Sequence, residues 1–201
     1  MEVFKGNFTQ QEPLPQDAID AAVNVLNTGR LHRYNLKEGD AGEVSSLELE
    51  FAKSIGADFC LAVASGGYAL ATALRAIDVK PAQKVLTNAF TLAPVPGAIA
   101  SINAVPLLVE VTENLTIDLD DLEAKASQSE VLLLSHMRGH ICDMDKLMEI
   151  ANRHRIKVIE DCAHTMGAGW NDKPSGSYGV IGCFSTQTYK HLNSGEGGFL
   201  T

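Results

Sequence analysis

Nowhere in the 201 residues does an apolar run approach the ~18 residues that a membrane-spanning helix needs. The opening stretch, MEVFKGNFTQQEPLPQ, has no apolar core of the kind a secretory leader carries. Basic residues are in the minority. Sixteen Lys and Arg against 25 Asp and Glu leave a formal charge of −9, which argues against a general binder of nucleic acid or anionic membrane but permits a local basic pocket. Cysteine is scarce: Cys60, Cys142, Cys162 and Cys183 form no Cys-x-x-Cys pair, and three of them sit inside apolar runs. They read as buried, reduced thiols of a cytoplasmic protein. Glycine and proline are scattered, which excludes collagen-like and low-complexity architectures. What is present, 45% hydrophobic and 20% charged residues, is the composition of a globular chain long enough to bury a real core.

Hydrophobic spacing organises the chain. Helical periodicity runs over 18–26, stopped by Asn27-Thr28-Gly29, and again over 45–55, stopped by Gly56. From residue 58 onward short apolar runs alternate with helical segments. The runs are Phe59–Ala64, Lys84–Thr87, Val105–Val109, Val131–Ser135, Lys157–Glu160, Val180–Phe184 and Gly198–Thr201; the helices fall at about 67–77, 92–102, 119–127 and 143–154. Strands that do not alternate in polarity and are separated by helices imply a mostly parallel, seven-stranded sheet covered on both faces, an α/β fold. The whole chain reads as one large α/β domain, with residues 1–57 its N-terminal helical extension and 58–201 its sheet-bearing part. The chain stops at GGFLT, inside what reads as a strand, so the protein is expected to be incomplete.

In open α/β sheets ligands sit beyond the carboxyl ends of the strands. After the first strand comes Ser65-Gly66-Gly67-Tyr68, opening a helix whose N–H groups favour phosphate, although an ordinary tight turn has the same letters. After the fifth comes Asp161, placed to hold a cationic ring nitrogen or simply to cap the next turn. After the sixth comes a polar, glycine-rich stretch containing Lys190; a sheltered lysine amine attacks carbonyls, whereas an isolated one is normally a solvated surface group. An anion cup, a carboxylate and a lysine are together what pyridoxal phosphate requires.

The segments themselves carry a resemblance. FSTQTYKHLNSGEGG is similar to the FSxxxxKxxxxGEGG signature of the DegT/DnrJ/EryC1/StrS sugar aminotransferases; VIEDCAHTMGA resembles their VIEDxAQxxGA, and VASGGYALATAL their xxSGTxALxxAL. The likeness runs in the family's order over essentially the whole chain. It implies the type I fold of PLP-dependent transferases, with the smaller C-terminal domain absent. Under it, Lys190 is the lysine that bonds the cofactor's aldehyde and moves the substrate proton. Asp161 pairs with the pyridinium nitrogen, and His164 takes the position usually held by a Gln that bonds the phenolic oxygen. Ser185, Gly66, Gly67 and the Tyr68 amide bind the phosphate. The implied reaction moves an amino group from an amino acid such as glutamate to a nucleotide-linked keto-sugar, within a cytoplasmic homodimer. A cyclitol ketone, an aminohydroxybenzoate-type substrate, or a non-catalytic remnant of the fold are the alternatives.

Departures from the pattern are Gly67 for a usual Thr, Leu92 for an aromatic ring that stacks on the cofactor, and Glu110 for a usual Asp. Family members that deoxygenate sugars carry His in place of the lysine, so Lys190 favours transamination. Outside these motifs, His136-x-x-x-His140-x-Cys142-Asp143 has the letters of a metal site, but a strand end and Gly139 intervene and a loop is expected; no metal is expected. The acidic run Asp118, Asp120, Asp121 and Glu123 reads as a helix start.

Overall fold

The structure, a computed structural model, describes residues 6, 13–34, 36, 39 and 42–201. Most of the opening stretch and part of the polar 30–43 segment lie outside the described residues. The chain divides into two compact units, Met1–Glu43 and Val44–Thr201. The first contains α1 (Gln16–Thr28), which ends on Gly29 in the left-handed conformation, its N–H bonded to Leu26 O.

In the second unit, α2 (Glu43–Ile55, from Val44 onward) buries Phe51, Ala52 and Ile55. The Phe51 ring stacks on Phe199 at 4.2 Å and meets Phe184 edge-on at 5.0 Å. α2 thus packs within the α/β unit.

That unit continues β1 (Leu61–Val63), α3 (Gly66–Ala76), β2 (Lys84–Asn88), α4 (Pro94–Ser101), β3 (Val105–Val109), α5 (Leu119–Lys125), β4 (Val131–Ser135), α6 (Met144–His154), β5 (Lys157–Asp161), a hairpin of β6 (Gly169–Trp170) and β7 (Lys173–Pro174), β8 (Ile181–Ser185) and β9 (Gly198–Leu200). Seven strands form one sheet in the order β1-β9-β8-β5-β4-β2-β3. The pairs from β8 through β5, β4 and β2 to β3 are parallel, while β9 runs antiparallel to both its neighbours.

All five β4 positions, VLLLS, are buried, and their side chains go to opposite faces. Val131 and Leu133 join Ile159, Val85 and residues of α3 and α4 in one core. Leu132 and Leu134 join Val158, Leu86 and residues of α5 and α6 in the other. A strand sandwiched this way must be apolar on both sides, which is why the apolar runs do not alternate. Local signals fix the helix starts. Asp118 accepts the N–H groups of Asp120 and Asp121 at α5, and Asp143 accepts that of Lys146 at α6. No helix among the described residues is long and apolar enough to cross a membrane.

Candidate active site

The carboxyl ends of β1, β8, β5, β4 and β2 lie along one edge of the sheet, and a cavity of about 350 Å³ opens there. That volume is at the lower end of the range for small-molecule sites. Gly66, Gly67, Asp161, His164, Ser185 and Lys190 all line it. Of the residues singled out from sequence, Tyr68 stands apart: its side chain is exposed, and its N–H donates to Ser65 Oγ at 3.1 Å as the N-cap bond of α3. Leu92 lines the cavity in the place expected of an aromatic ring, and Phe90 does not.

The β1–α3 turn is packed too tightly for side chains. A Cβ on Gly66 would lie 2.8 Å from Ser185 Cβ, and one on Gly198 would lie 2.7 Å from Gly66 N, Ser65 C and Phe184 O. These two glycines let the first turn of α3, the end of β8 and the start of β9 converge. The helix start leaves the N–H groups of Gly66 and Gly67 without intrahelical acceptors, beside the Ser185 hydroxyl, which itself accepts the Gln187 N–H at 3.3 Å.

Asp161 ends β5. Its Oδ1 accepts the Ala163 N–H at 3.1 Å, and its Oδ2 accepts the Ser135 hydroxyl at 3.3 Å. Ser135 Oγ in turn accepts the Thr91 hydroxyl at 2.8 Å, and Asn88 brackets the Ser135 backbone from β2, donating to its carbonyl and accepting its N–H. Burial pushes the Asp161 carboxyl above its usual range, against the opposing pull of the Ala163 N–H, His136, Ser135 and Lys190. Lys190 sits in the turn after β8, its N–H bonded to Gln187 O. Burial lowers its amine pKa, Asp161 works the other way, and Arg138 adds to the lowering. Burial likewise drops His164 to about 4, helped by the charges of Lys190, Arg138 and His191. A carboxyl pushed up by burial and an amine shifted towards its neutral form thus face one cavity.

Several contributors escaped the sequence reading. Ser135, Thr91 and Asn88 orient Asp161, while Gln187, Glu196 and Met137 line the cavity. Behind β5, Glu160 is buried: its Oε1 accepts the N–H groups of Tyr178 and Gly179, and its Oε2 accepts those of Gly176 and the His136 ring. The His136–His140–Cys142–Asp143 letters do not converge. His140 is exposed, Cys142 is buried against Met144, and Asp143 caps α6. Among the described residues the group with metal-ligand spacing is His136, Glu160 and Cys162, and the Glu160 oxygens in it are already taken by four donors. His191, the neighbour of Lys190, lines a separate groove with Phe51 and Lys173 instead.

Residues 16–201 match the DegT/DnrJ/EryC1/StrS aminotransferase family. The L-glutamine:scyllo-inosose aminotransferase of Streptomyces griseus is 34% identical over 192 residues, 94% of this chain and 45% of that protein. Among solved structures, an aminotransferase from Psychrobacter cryohalolentis superposes with a TM-score of 0.88 at 29% identity, over 97% of this chain and 49% of the other. A 3-amino-5-hydroxybenzoic acid synthase gives 0.87 at 32% identity, over 96% and 50%. The chain spans less than half the length of the curated relatives it matches. With the match running over residues 16–201 and the fold shared with these structures, the chain belongs to the DegT/DnrJ/EryC1/StrS aminotransferase family, a family of PLP-dependent enzymes.

Proposed function

We propose that this chain supplies the cofactor-holding domain of an aminotransferase that moves an amino group from an amino acid, glutamate or its amide, to the ring ketone of a keto-sugar or cyclitol. One observation carries the reading: a carboxylate, a lysine amine and an open helix start meet in one cavity at the strand ends. Pyridoxal phosphate fits that donor set. The first turn of α3 and Ser185 would receive its phosphate, while the Tyr68 N–H is taken by the Ser65 cap. Asp161 would face its ring nitrogen, and a cation there relieves the desolvation that now raises the carboxyl pKa. His164 would face its phenolic oxygen. Bound there, the cofactor supplies a cationic ring that withdraws electrons from the substrate's α-carbon.

The chain's own part is positional and protic. Lys190 would hold the cofactor through its aldehyde and, once freed from it, would carry a proton between carbon atoms; each role begins from the neutral amine, and its lowered pKa raises that share. The Thr91–Ser135–Asp161 chain of hydroxyls holds the carboxylate in one orientation. Leu70, Val95 and Met137 make the walls apolar and keep water off the site. A cyclitol ketone as acceptor is favoured over a nucleotide-linked sugar by the Streptomyces griseus relative, which is named for inosose and for L-glutamine as donor. A homodimer in the cytoplasm belongs to this reading on the strength of the sequence resemblance.

The test is absorbance of the 201-residue chain with added pyridoxal phosphate, followed by borohydride reduction and peptide mapping. A reduced adduct on Lys190 is expected, and none in Lys190→Ala. An adduct that persists in the variant overturns the lysine assignment, and its absence from the unaltered chain points to a remnant that kept the fold and lost the chemistry.

A further inference from the structure

His164 stands three residues beyond the end of β5, and its ring lines the cavity beside Lys190 and Asp161. The other side of the ring meets the backbone of the turn that follows β4, where the Arg138 N–H donates to His164 Nδ1 at 3.1 Å. A backbone N–H cannot accept, so Nδ1 must present its lone pair. A neutral imidazole bonded in this way carries its proton on Nε2, and an imidazolium, with a proton on both nitrogens, would set two donors against each other.

The turn is built for this contact at a cost. Arg138 is in the left-handed region at φ 57°, ψ 22°, a conformation that disfavours a side chain by about 1–2 kcal/mol. Flanking bonds hold it there: Gly139 N–H to His136 O at 3.3 Å, and His140 N–H to Met137 O at 3.1 Å. His136 is itself anchored from both ends, its N–H on Asp161 O and its ring on Glu160. The strained N–H therefore hangs from the same strand that carries Asp161.

We infer that the Met137–Gly139 turn sets the tautomer of His164, so that the imidazole stays neutral and offers the cavity an Nε2–H donor. On the function proposed above, this makes His164 a fixed donor to an oxyanion, the phenolate oxygen of the cofactor. It takes no part in moving protons, which leaves Lys190 as the acid–base group of the site. Arg138 acts here through its backbone, as a positioning residue. The charged and titratable groups around the ring point the same way. Lys190 from the turn after β8, the Arg138 guanidinium and His191 all disfavour a second positive charge, while Asp161 and Glu196 share the cavity on the opposite sign. The pKa of about 4 agrees with the geometry.

The test is two-bond ¹H–¹⁵N NMR of the histidine rings in the uniformly labelled chain, without added cofactor, over a pH titration, with His164→Gln identifying the resonance. His164 should show an unprotonated Nδ1 and a protonated Nε2 throughout the neutral range, titrating near about 4 in place of the usual 6.5. Arg138→Gly keeps the N–H and adopts the left-handed turn without strain, and should leave the tautomer unchanged while removing the guanidinium. A mixture of tautomers, or protonation with a midpoint near 6.5, in the unaltered chain overturns the inference. A loss of the single tautomer in Arg138→Gly transfers the effect from the backbone to the guanidinium and overturns the assigned cause. Borohydride trapping on Lys190 reports separately on the proposed function, so a chain that holds the tautomer but traps no cofactor refutes only that function.

Discussion

A methyl group on Gly66 would press on Ser185 Cβ at 2.8 Å, whereas one on Gly67 would meet Pro94 Cβ at an ordinary 3.7 Å. The two neighbours therefore separate in their tolerance. Gly66→Ala should lower stability by about 1–3 kcal/mol in urea denaturation, because the end of β8 must move to admit it. Gly67→Thr should fold normally and, by adding a hydroxyl to the phosphate cup, tighten pyridoxal phosphate about three- to tenfold in a spectroscopic titration. The sequence already showed Asp161 and Lys190 as candidates, since both follow apolar strands in segments that resemble the family's motifs. Ser135, Thr91 and Asn88 carried no such mark. Small polar residues are common at strand ends, and their role depends on β2, β4 and β5 being neighbours, a fact of the sheet order and not of any local pattern.

Elements are held to one another by groups that serve no chemistry. Glu160 collects the N–H groups of Gly176, Tyr178 and Gly179 and so ties the loop before β8 to the middle of β5. Burial opposes its charge, but the bond to His136, the charge of that ring and the backbone N–H groups of Gly179 and Gly176 prevail and hold the carboxyl below its usual range. A carboxyl depressed in the folded state stabilises it above the unfolded pKa and loses that contribution as the pH falls through the folded value. Glu160→Gln should cost about 3–5 kcal/mol at pH 7 by denaturant unfolding, with the gap to the unaltered protein narrowing in acid. The central strands of the long sheet were legible because both of their faces are buried, and the edge strands β1 and β3, though partly exposed, keep the same short apolar runs. The β6–β7 hairpin was not, since two-residue strands leave no periodicity. Its signal lay in the turn instead, where Asn171 and Asp172 are both left-handed at φ 45° and 60°, the demand of a tight two-residue hairpin turn.

At the scale of the whole chain, the −9 charge and the four thiols are background. Burial pushes Cys60 and Cys142 up to about 12, and Cys162 and Cys183 well above the ordinary thiol range, so none is a thiolate near neutrality. The pH response should instead carry the mark of His164. Its pKa is lowered in the folded state, so as the pH drops below about 6.5 the unfolded chain gains a proton that the folded chain refuses, and stability declines until the pH reaches about 4. Chemical denaturation across that window should show the decline, and His164→Gln should flatten it.

The position of β9 has a further consequence, for the order in which the molecule is made. β1 stands at the end of the sheet, and its one sheet neighbour is β9, with Leu61 opposite Leu200. A chain emerging from the ribosome thus releases β1 early, and that strand must wait until residues 198–200 have been made before it can join. Pairing over so long an interval is slow, because the loop must close before any contact rewards it. The β2–β3–β4–β5 core can assemble meanwhile from shorter separations. The anion cup between Ser65 and Gly67 leans on Gly198, so it is the last part of the site to form. Chains cut before residue 198 should keep much of the parallel core yet hold no phosphate.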